Sequence, residues 1–184
     1  MTAVMLACLI WAMRPSEPND SPLDAPGALV SGTEIAYVFV PSTTCAGIND
    51  PNLEDALRAT RRYVGEYARG HGYGFATVGV SIDTDLDRGK ELLERFGPFD
   101  EIHVGRGYLN AAAQRYMRTF VGVEAVPQVV ILRREVRVDG GIMRIEHADV
   151  LLRKVGAETI GQWVELAGRV KEEGAWIGGS SDEN

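Results

Sequence analysis

The sequence is poor in the residues that build metal centres and nucleic-acid surfaces: it has only two cysteines and three histidines among 184 residues. His71, His103 and His147 lie far apart and show none of the short spacings that are typical of metal ligands. The 26 acidic residues outnumber the 19 basic ones, for a net charge of −7, and no stripe of Lys and Arg is present. We therefore expect no metal, no other cofactor and no nucleic-acid partner.

The chain also lacks an apolar run of the ~20 residues that a membrane-spanning helix requires. The stretch Ala3–Met13 is shorter and has the length of a signal-peptide apolar region, although no basic residue precedes it. Met5-Leu6-Ala7-Cys8 is similar to a lipoprotein cleavage site, with Cys8 as the lipid-bearing residue. We expect export and a membrane anchor through the N-terminus, hence a location in the cell envelope. The alternative is a frayed apolar tail on a cytoplasmic protein.

Length and composition predict one folded domain. A chain of 184 residues is long enough to bury one proper core and too short for two comfortable domains. The proline-rich, acidic stretch Ser16–Asp24 has nothing to bury and is typical of a linker. We predict an N-terminal segment and linker over residues 1–26, a folded domain over 27–172, and a flexible acidic tail over 173–184.

The folded part begins with the pattern of a βαβ unit. Ile35–Val40 and Phe75–Ile82 are continuously apolar, as strands covered on both faces are. Between them, Leu53–Tyr67 has apolar residues at helical spacing, and Asp50-Pro51 supplies an N-cap followed by proline at the first helical position. Two apolar strands joined by one helix predict a parallel pair with a right-handed connection.

The rest of the chain predicts further alternation and then a hairpin. Pro127 should mark the start of a strand, because proline is excluded from a central ladder. Helices are predicted from a cap within Asp83–Asp87 to Phe96, over Leu109–Phe120 and over Ala157–Val170. Strands are predicted at Ile102–Val104, Val129–Leu132 and Ile142–Ile145, and Val150–Val155 extends the last of them. The predicted order is β-α-β-α-β-α-β-β-α.

Cys45 is the most informative single residue. It lies at a strand-to-helix turn, where backbone N–H groups can stabilise a thiolate. A cysteine at position 48 would complete a Cys-x-x-Cys pair, but that residue is Ile48, so a self-contained dithiol cycle is excluded. The alternative is a cysteine that packs as a small hydrophobic residue. The hydroxyls of Thr43 and Thr44, and of Ser42, either donate hydrogen bonds to the sulfur or satisfy the backbone of the turn.

Three acids follow the second predicted strand. Asp83, Asp85 and Asp87 allow a cation site, but acids at the start of a helix, favoured by its dipole, explain them more simply. We expect the second interpretation.

The order of elements and several segments resemble the thioredoxin-like superfamily, most closely the thiol-disulfide oxidoreductases of the TlpA type. Tyr37–Pro41 followed by Cys45 is similar to the family's strand and active-site loop, and Val78–Asp83 to its second strand and acidic end. Gly122–Val129 resembles the segment that holds the family's cis-proline, and Lys154–Gly156 the approach to the last helix. The resemblance covers roughly residues 27–170. It departs at the active-site motif, which lacks both the tryptophan and the second cysteine.

The resemblance implies a three-layer α/β fold: a central mixed sheet flanked by helices, with an inserted strand and helix. It implies a cis-Pro127 seated against Cys45, and a substrate groove made by Thr43, Thr44 and Val126 beside that proline. The expected activity is monothiol exchange through Cys45 with a protein or small-molecule thiol or disulfide. The alternative function is a non-catalytic binding module that keeps the groove beside Pro127.

Overall fold

The computed structural model describes residues 31–119 and 124–173. These ranges form an α/β fold in which a five-stranded mixed sheet is flanked by helices on both faces. The elements are β1 (Gly32–Val40), α1 (Leu53–Gly70), β2 (Gly74–Val80), α2 (Leu86–Phe96), β3 (Glu101–His103), α3 (Ala111–Ala113), β4 (Gln128–Asp139), β5 (Ile142–Val155) and α4 (Ala157–Glu173). Their order is the one that the sequence predicts.

The sheet has the order β3-β2-β1-β4-β5. Strands β1, β2 and β3 run parallel, as the apolar βαβ pattern predicts for the first two. Strands β4 and β5 form an antiparallel hairpin, and β4 also pairs antiparallel with β1. In that register Val40, the last residue of β1, lies opposite Gln128, the first residue of β4. The loop after β1 and the turn before β4 therefore meet at the same edge of the sheet.

Strand β1 is central in the sheet, and its side chains point alternately into two hydrophobic cores, one on each face. All six residues of Ile35–Val40 are fully buried, which confirms the interpretation of this run as a strand covered on both faces. Ile35, Tyr37 and Phe39 pack in a core with α1 and α4, whereas Ala36, Val38 and Val40 pack in a second core with α3.

Two predicted helices differ from the structure. Helix α1 begins at Leu53 rather than at Pro51, because a 3-10 turn over Ala46–Asn49 comes first and the Asp50 carboxylate accepts from the Asn52 N–H at 2.8 Å. The helix predicted over Leu109–Phe120 is confirmed in part: it begins later, at Ala111, and its predicted end at Phe120 lies outside the described residues. Asn110 caps the short α3, and the chain continues as a π-helix over Gln114–Thr119.

Some predictions concern residues outside the described ranges. The N-terminal segment 1–26 with Cys8, and the tail beyond Glu173, lie there, so their predicted roles stay predictions. None of the helices within 31–119 and 124–173 is long and apolar enough to cross a bilayer.

A buried ion-pair cluster joins the strands on the α3 side of the sheet. Arg134 of β4 is only 1% exposed and pairs with Glu34 of β1 and Glu101 of β3. One guanidinium thus links β4 with the edge strand β3, which has only three residues. A buried charge that loses its partners is costly, because neither water nor a counter-ion then compensates it.

The two carboxylates of this cluster differ in their surroundings. Burial raises the pKa of Glu34 and outweighs the attraction of Arg134. Burial also acts on Glu101, but hydrogen bonds from His103 and Arg134 prevail and lower its pKa. Stability contributed by Glu101 is therefore present above its ordinary pKa and is lost as the pH falls through its folded value.

Replacing Arg134 should be among the more damaging single changes in the sheet. For Arg134→Ala we expect a loss of about 3–5 kcal/mol in the free energy of unfolding, because two partly buried carboxylates lose the guanidinium that pairs with both. The matched control is Arg133→Ala, whose ion pair with Asp149 is about half exposed and should cost less than about 1 kcal/mol. Urea denaturation measures both, and equal losses would contradict the role given to Arg134.

Candidate functional site

Cys45 lies in the loop that follows β1, at the edge where β4 begins. Its N–H donates to the Ser42 carbonyl at 3.2 Å, and its own carbonyl accepts from the Ile48 N–H at 3.2 Å. Cys45 precedes the 3-10 turn, whereas α1 starts only at Leu53. The dipole of α1 acts mainly within its first turn, so it contributes little at the sulfur.

The sulfur of Cys45 contacts the turn before β4. The thiol donates a hydrogen bond to the Val126 carbonyl, with Sγ and O 2.8 Å apart. The Val126–Pro127 peptide bond is cis, as the resemblance implies. Gly47 lies against both groups: a Cβ built on it would be 3.2 Å from Pro127 Cδ and 3.8 Å from Cys45 Sγ. The structure therefore brings together Cys45, Val126 and Pro127.

Each carbonyl of this turn has a different partner. The Ala125 carbonyl accepts from the Gln128 side-chain amide at 2.9 Å, and the Val126 carbonyl accepts from Cys45. The Pro127 carbonyl accepts from the Gly156 N–H at 2.8 Å. Among residues 31–119 and 124–173, none accepts a hydrogen bond from the Val126 N–H. Within these ranges, the Val126 N–H is therefore a backbone donor without a protein acceptor.

Asp83 anchors the Cys45 loop. Its buried carboxylate, 7% exposed, accepts from the Ser42 hydroxyl at 3.1 Å, from the Thr43 N–H and hydroxyl at 3.1 and 2.7 Å, and from the Ser81 hydroxyl at 2.7 Å. These bonds tie the loop after β1 to the end of β2. Burial alone would raise the pKa of Asp83, but the hydrogen bonds from Ser81, Thr43 and Ser42 lower it below its ordinary value.

These contacts decide the roles of the loop hydroxyls and of Asp83. The loop hydroxyls do not donate to the sulfur in the described part of the chain, because Thr43 binds the Asp83 carboxylate and Thr44 bonds the Ser42 hydroxyl at 2.9 Å. The alternative is supported in part, since the Ser42 hydroxyl accepts from the backbone N–H of Thr44 at 3.2 Å. An anionic oxygen is a much stronger acceptor than a neutral sulfur. Asp83 is also not a helix-start acid, since Asp85 caps α2. The roles of Thr43 and Thr44 toward a substrate stay predictions.

Sequence reasoning missed two features that shape this site. Gly47 lets the Pro127 ring approach the sulfur because it has no Cβ, and its position within the Cys45–Ile48 motif was the available signal. The spacing Ser81-x-Asp83 at the end of β2 was the signal for the loop anchor, since a hydroxyl two residues before the acid can bond its carboxylate.

Comparisons of this chain with protein-family models, with curated proteins and with solved structures found no match. The described residues contain no cluster of His, Cys, Asp or Glu side chains that could hold a metal ion. The chemistry of the site is therefore inferred from one thiol, one turn of backbone and the acid that anchors the loop.

The Asp83 anchor predicts a pH-dependent stability. Its folded pKa lies below the ordinary 3.8, so its contribution is present above that pH and is lost as the pH falls through the folded value. We expect Asp83→Asn to lower the free energy of unfolding by about 1.5–3 kcal/mol at pH 7. Urea denaturation at pH 7 and at acid pH measures the difference from the unsubstituted protein, which should shrink on acidification.

The control for this prediction is Asp87→Asn, an exposed acid in the first turn of α2. It should change stability by less than about 0.5 kcal/mol. A loss at Asp83→Asn that stays the same at acid pH would contradict a charged anchor.

Proposed function

We propose that this chain is a thioredoxin-like protein of the TlpA type whose Cys45 takes part in thiol–disulfide exchange as a monothiol. The observation that carries the proposal is the 2.8 Å contact between Cys45 Sγ and the Val126 carbonyl, beside the cis-Pro127. The order of elements and the mixed sheet support it, because Cys45 follows β1 and Pro127 precedes its antiparallel neighbour β4.

The exchange step is a displacement at sulfur. The Cys45 thiol loses its proton to solvent, and the thiolate attacks one sulfur of an external disulfide. A new S–S bond forms between Cys45 and that sulfur while the old S–S bond breaks. The other sulfur leaves as a thiolate and takes up a proton. The products are one mixed disulfide on Cys45 and one external thiol.

Return to the free thiol requires a second external thiol. Ile48 stands where a resolving cysteine would lie, and its side chain is buried in the core at 2% exposure. An external thiol attacks the mixed disulfide, releases Cys45 and leaves with the partner's sulfur as a new disulfide. The partner is therefore a protein or small molecule that carries a thiol or disulfide.

The backbone beside Pro127 supplies a place for that partner. An extended peptide can pair its carbonyl with the Val126 N–H, as added strands do at exposed backbone edges. Its N–H can replace the Cys45 thiol at the Val126 carbonyl, because both are donors to one acceptor. We place this exchange in the cell envelope on the basis of the apolar segment Ala3–Met13.

A second candidate function is a binding module without redox turnover. The observation that favours it is the same hydrogen bond, because a thiol that donates to the Val126 carbonyl is already engaged within the protein. The groove beside Pro127 would then bind a peptide while Cys45 stays reduced.

Reaction with a model disulfide separates the two candidates. In a Cys8→Ser background, we expect incubation with glutathione disulfide to add one glutathione to the folded protein at Cys45, measured by intact-protein mass spectrometry. Cys45→Ser should give no adduct. The urea-unfolded protein serves as a positive control for the thiol. An adduct on the unfolded protein alone would reject the exchange reaction and leave the binding module.

Removing the sulfur should barely affect the fold. We expect Cys45→Ser to change the free energy of unfolding by less than about 1 kcal/mol, since Cys45 is only partly buried and the serine hydroxyl can also donate to Val126. Thermal denaturation measures the change. A large loss would mean that the sulfur serves packing.

A further inference from the structure

A pair of polar side chains, the Arg153–Gln128 link, lies behind the turn that faces Cys45. The Arg153 guanidinium of β5 donates to the Gln128 side-chain carbonyl at 2.8 Å and to the Tyr116 backbone carbonyl at 3.0 Å. The Gln128 amide in turn donates to the Ala125 carbonyl at 2.9 Å. A continuous path of hydrogen bonds thus runs from β5, through the first residue of β4, to the residue before Val126.

The link places a polar side chain, Gln128, in a buried position where an apolar side chain would need no hydrogen-bond partners. Gln128 is fully buried, at 0% exposure, and the strand continues into the apolar run Val129–Leu132. A buried amide is tolerated only when both of its ends are hydrogen-bonded, which Arg153 and Ala125 provide. Arg153 is itself partly withdrawn from water, and this burial lowers the pKa of its guanidinium.

The link acts on Ala125, the residue that precedes Val126 in the turn. Pro127 has a fixed φ, and its carbonyl is held by the Gly156 N–H. These two restraints act on the C-terminal side of Val126, whereas on its N-terminal side the backbone of Val126 continues into Ala125. The bond from Gln128 to the Ala125 carbonyl fixes that backbone.

We propose that Arg153 is a positioning residue that acts through Gln128: it holds the Ala125–Val126 backbone so that the Val126 carbonyl accepts the Cys45 thiol and restrains its reactivity until a partner displaces it. This inference rests on the proposed role of Cys45 as the reacting thiol. It adds a control on that thiol which involves no contact between Arg153 and the sulfur.

The rate of alkylation of Cys45 tests the restraint. In the Cys8→Ser background, the second-order rate with iodoacetamide at pH 7 should rise about three- to tenfold in Arg153→Met, the size expected from losing one hydrogen bond. Arg153→Lys keeps a donor, so its alkylation rate should lie between those of the unsubstituted protein and Arg153→Met. The matched control is Arg137→Met, whose ion pair with Glu146 lies on the exposed part of the β4–β5 hairpin and should leave the rate unchanged.

A second variant separates positioning from a loss of fold. Gln128→Leu leaves Arg153 in place but breaks the link, and it should raise the rate by a similar factor. The double variant Arg153→Met, Gln128→Leu should be no faster than either single one, because both remove the same path. A merely structural role would lower the thermal stability without raising the rate of the folded protein. Rates that are unchanged or lower in both single variants would overturn the proposal.

The two proposals fail in different ways. If the unsubstituted protein forms the glutathione adduct but the Arg153 and Gln128 variants alkylate at its rate, exchange stands and the positioning role is wrong. If the folded protein forms no adduct but the variants alkylate faster, the restraint stands and the exchange function is wrong.

Discussion

The antiparallel pairing of β1 with β4 is the constraint on which the site depends. The Cys45 loop and the Pro127 turn are far apart in sequence: Cys45, whose Sγ donates, and Val126, whose carbonyl accepts, are separated by 81 positions. They meet because Val40 lies opposite Gln128, so that one strand ends where the other begins. Both strands are buried at this edge, and a slip of one residue would exchange the two cores.

The Val126 carbonyl is the group that binds the Cys45 thiol in this site. It accepts the Cys45 thiol, and in the proposed function a peptide partner competes for the same oxygen. Among the described residues, the loop hydroxyls do not bind the sulfur, because Asp83 accepts from Ser42 and Thr43 and Thr44 bonds the Ser42 hydroxyl.

The sequence predicted the order of elements and the meeting of Cys45 with Pro127, because apolar runs and the resemblance together define which strands lie side by side. It did not predict the partners of polar side chains. Arg134 lies in a run of charged residues, a pattern that is typical of an exposed segment. Its partner Glu34 is 100 positions away in the sequence. Asp83 stands close enough to α2 to be mistaken for a cap.

The same limit applies to the helix expected over Leu109–Phe120. Its alanines favour a helix, but the cap at Asn110 shortens its start, and the chain changes to π-helical bonding from Gln114. Local propensity contains no information on the Tyr116 carbonyl, which accepts from Arg153 of a strand 37 positions away. Contacts of this kind become visible only when the sheet order is known.

The most direct test of the account is a crystal structure of the protein with glutathione joined to Cys45. The account predicts that the glutathione backbone lies along the turn, with one of its N–H groups donating to the Val126 carbonyl in place of the Cys45 thiol. A glutathione chain that points away from Val126 and Pro127, with that carbonyl left unbonded, would contradict it.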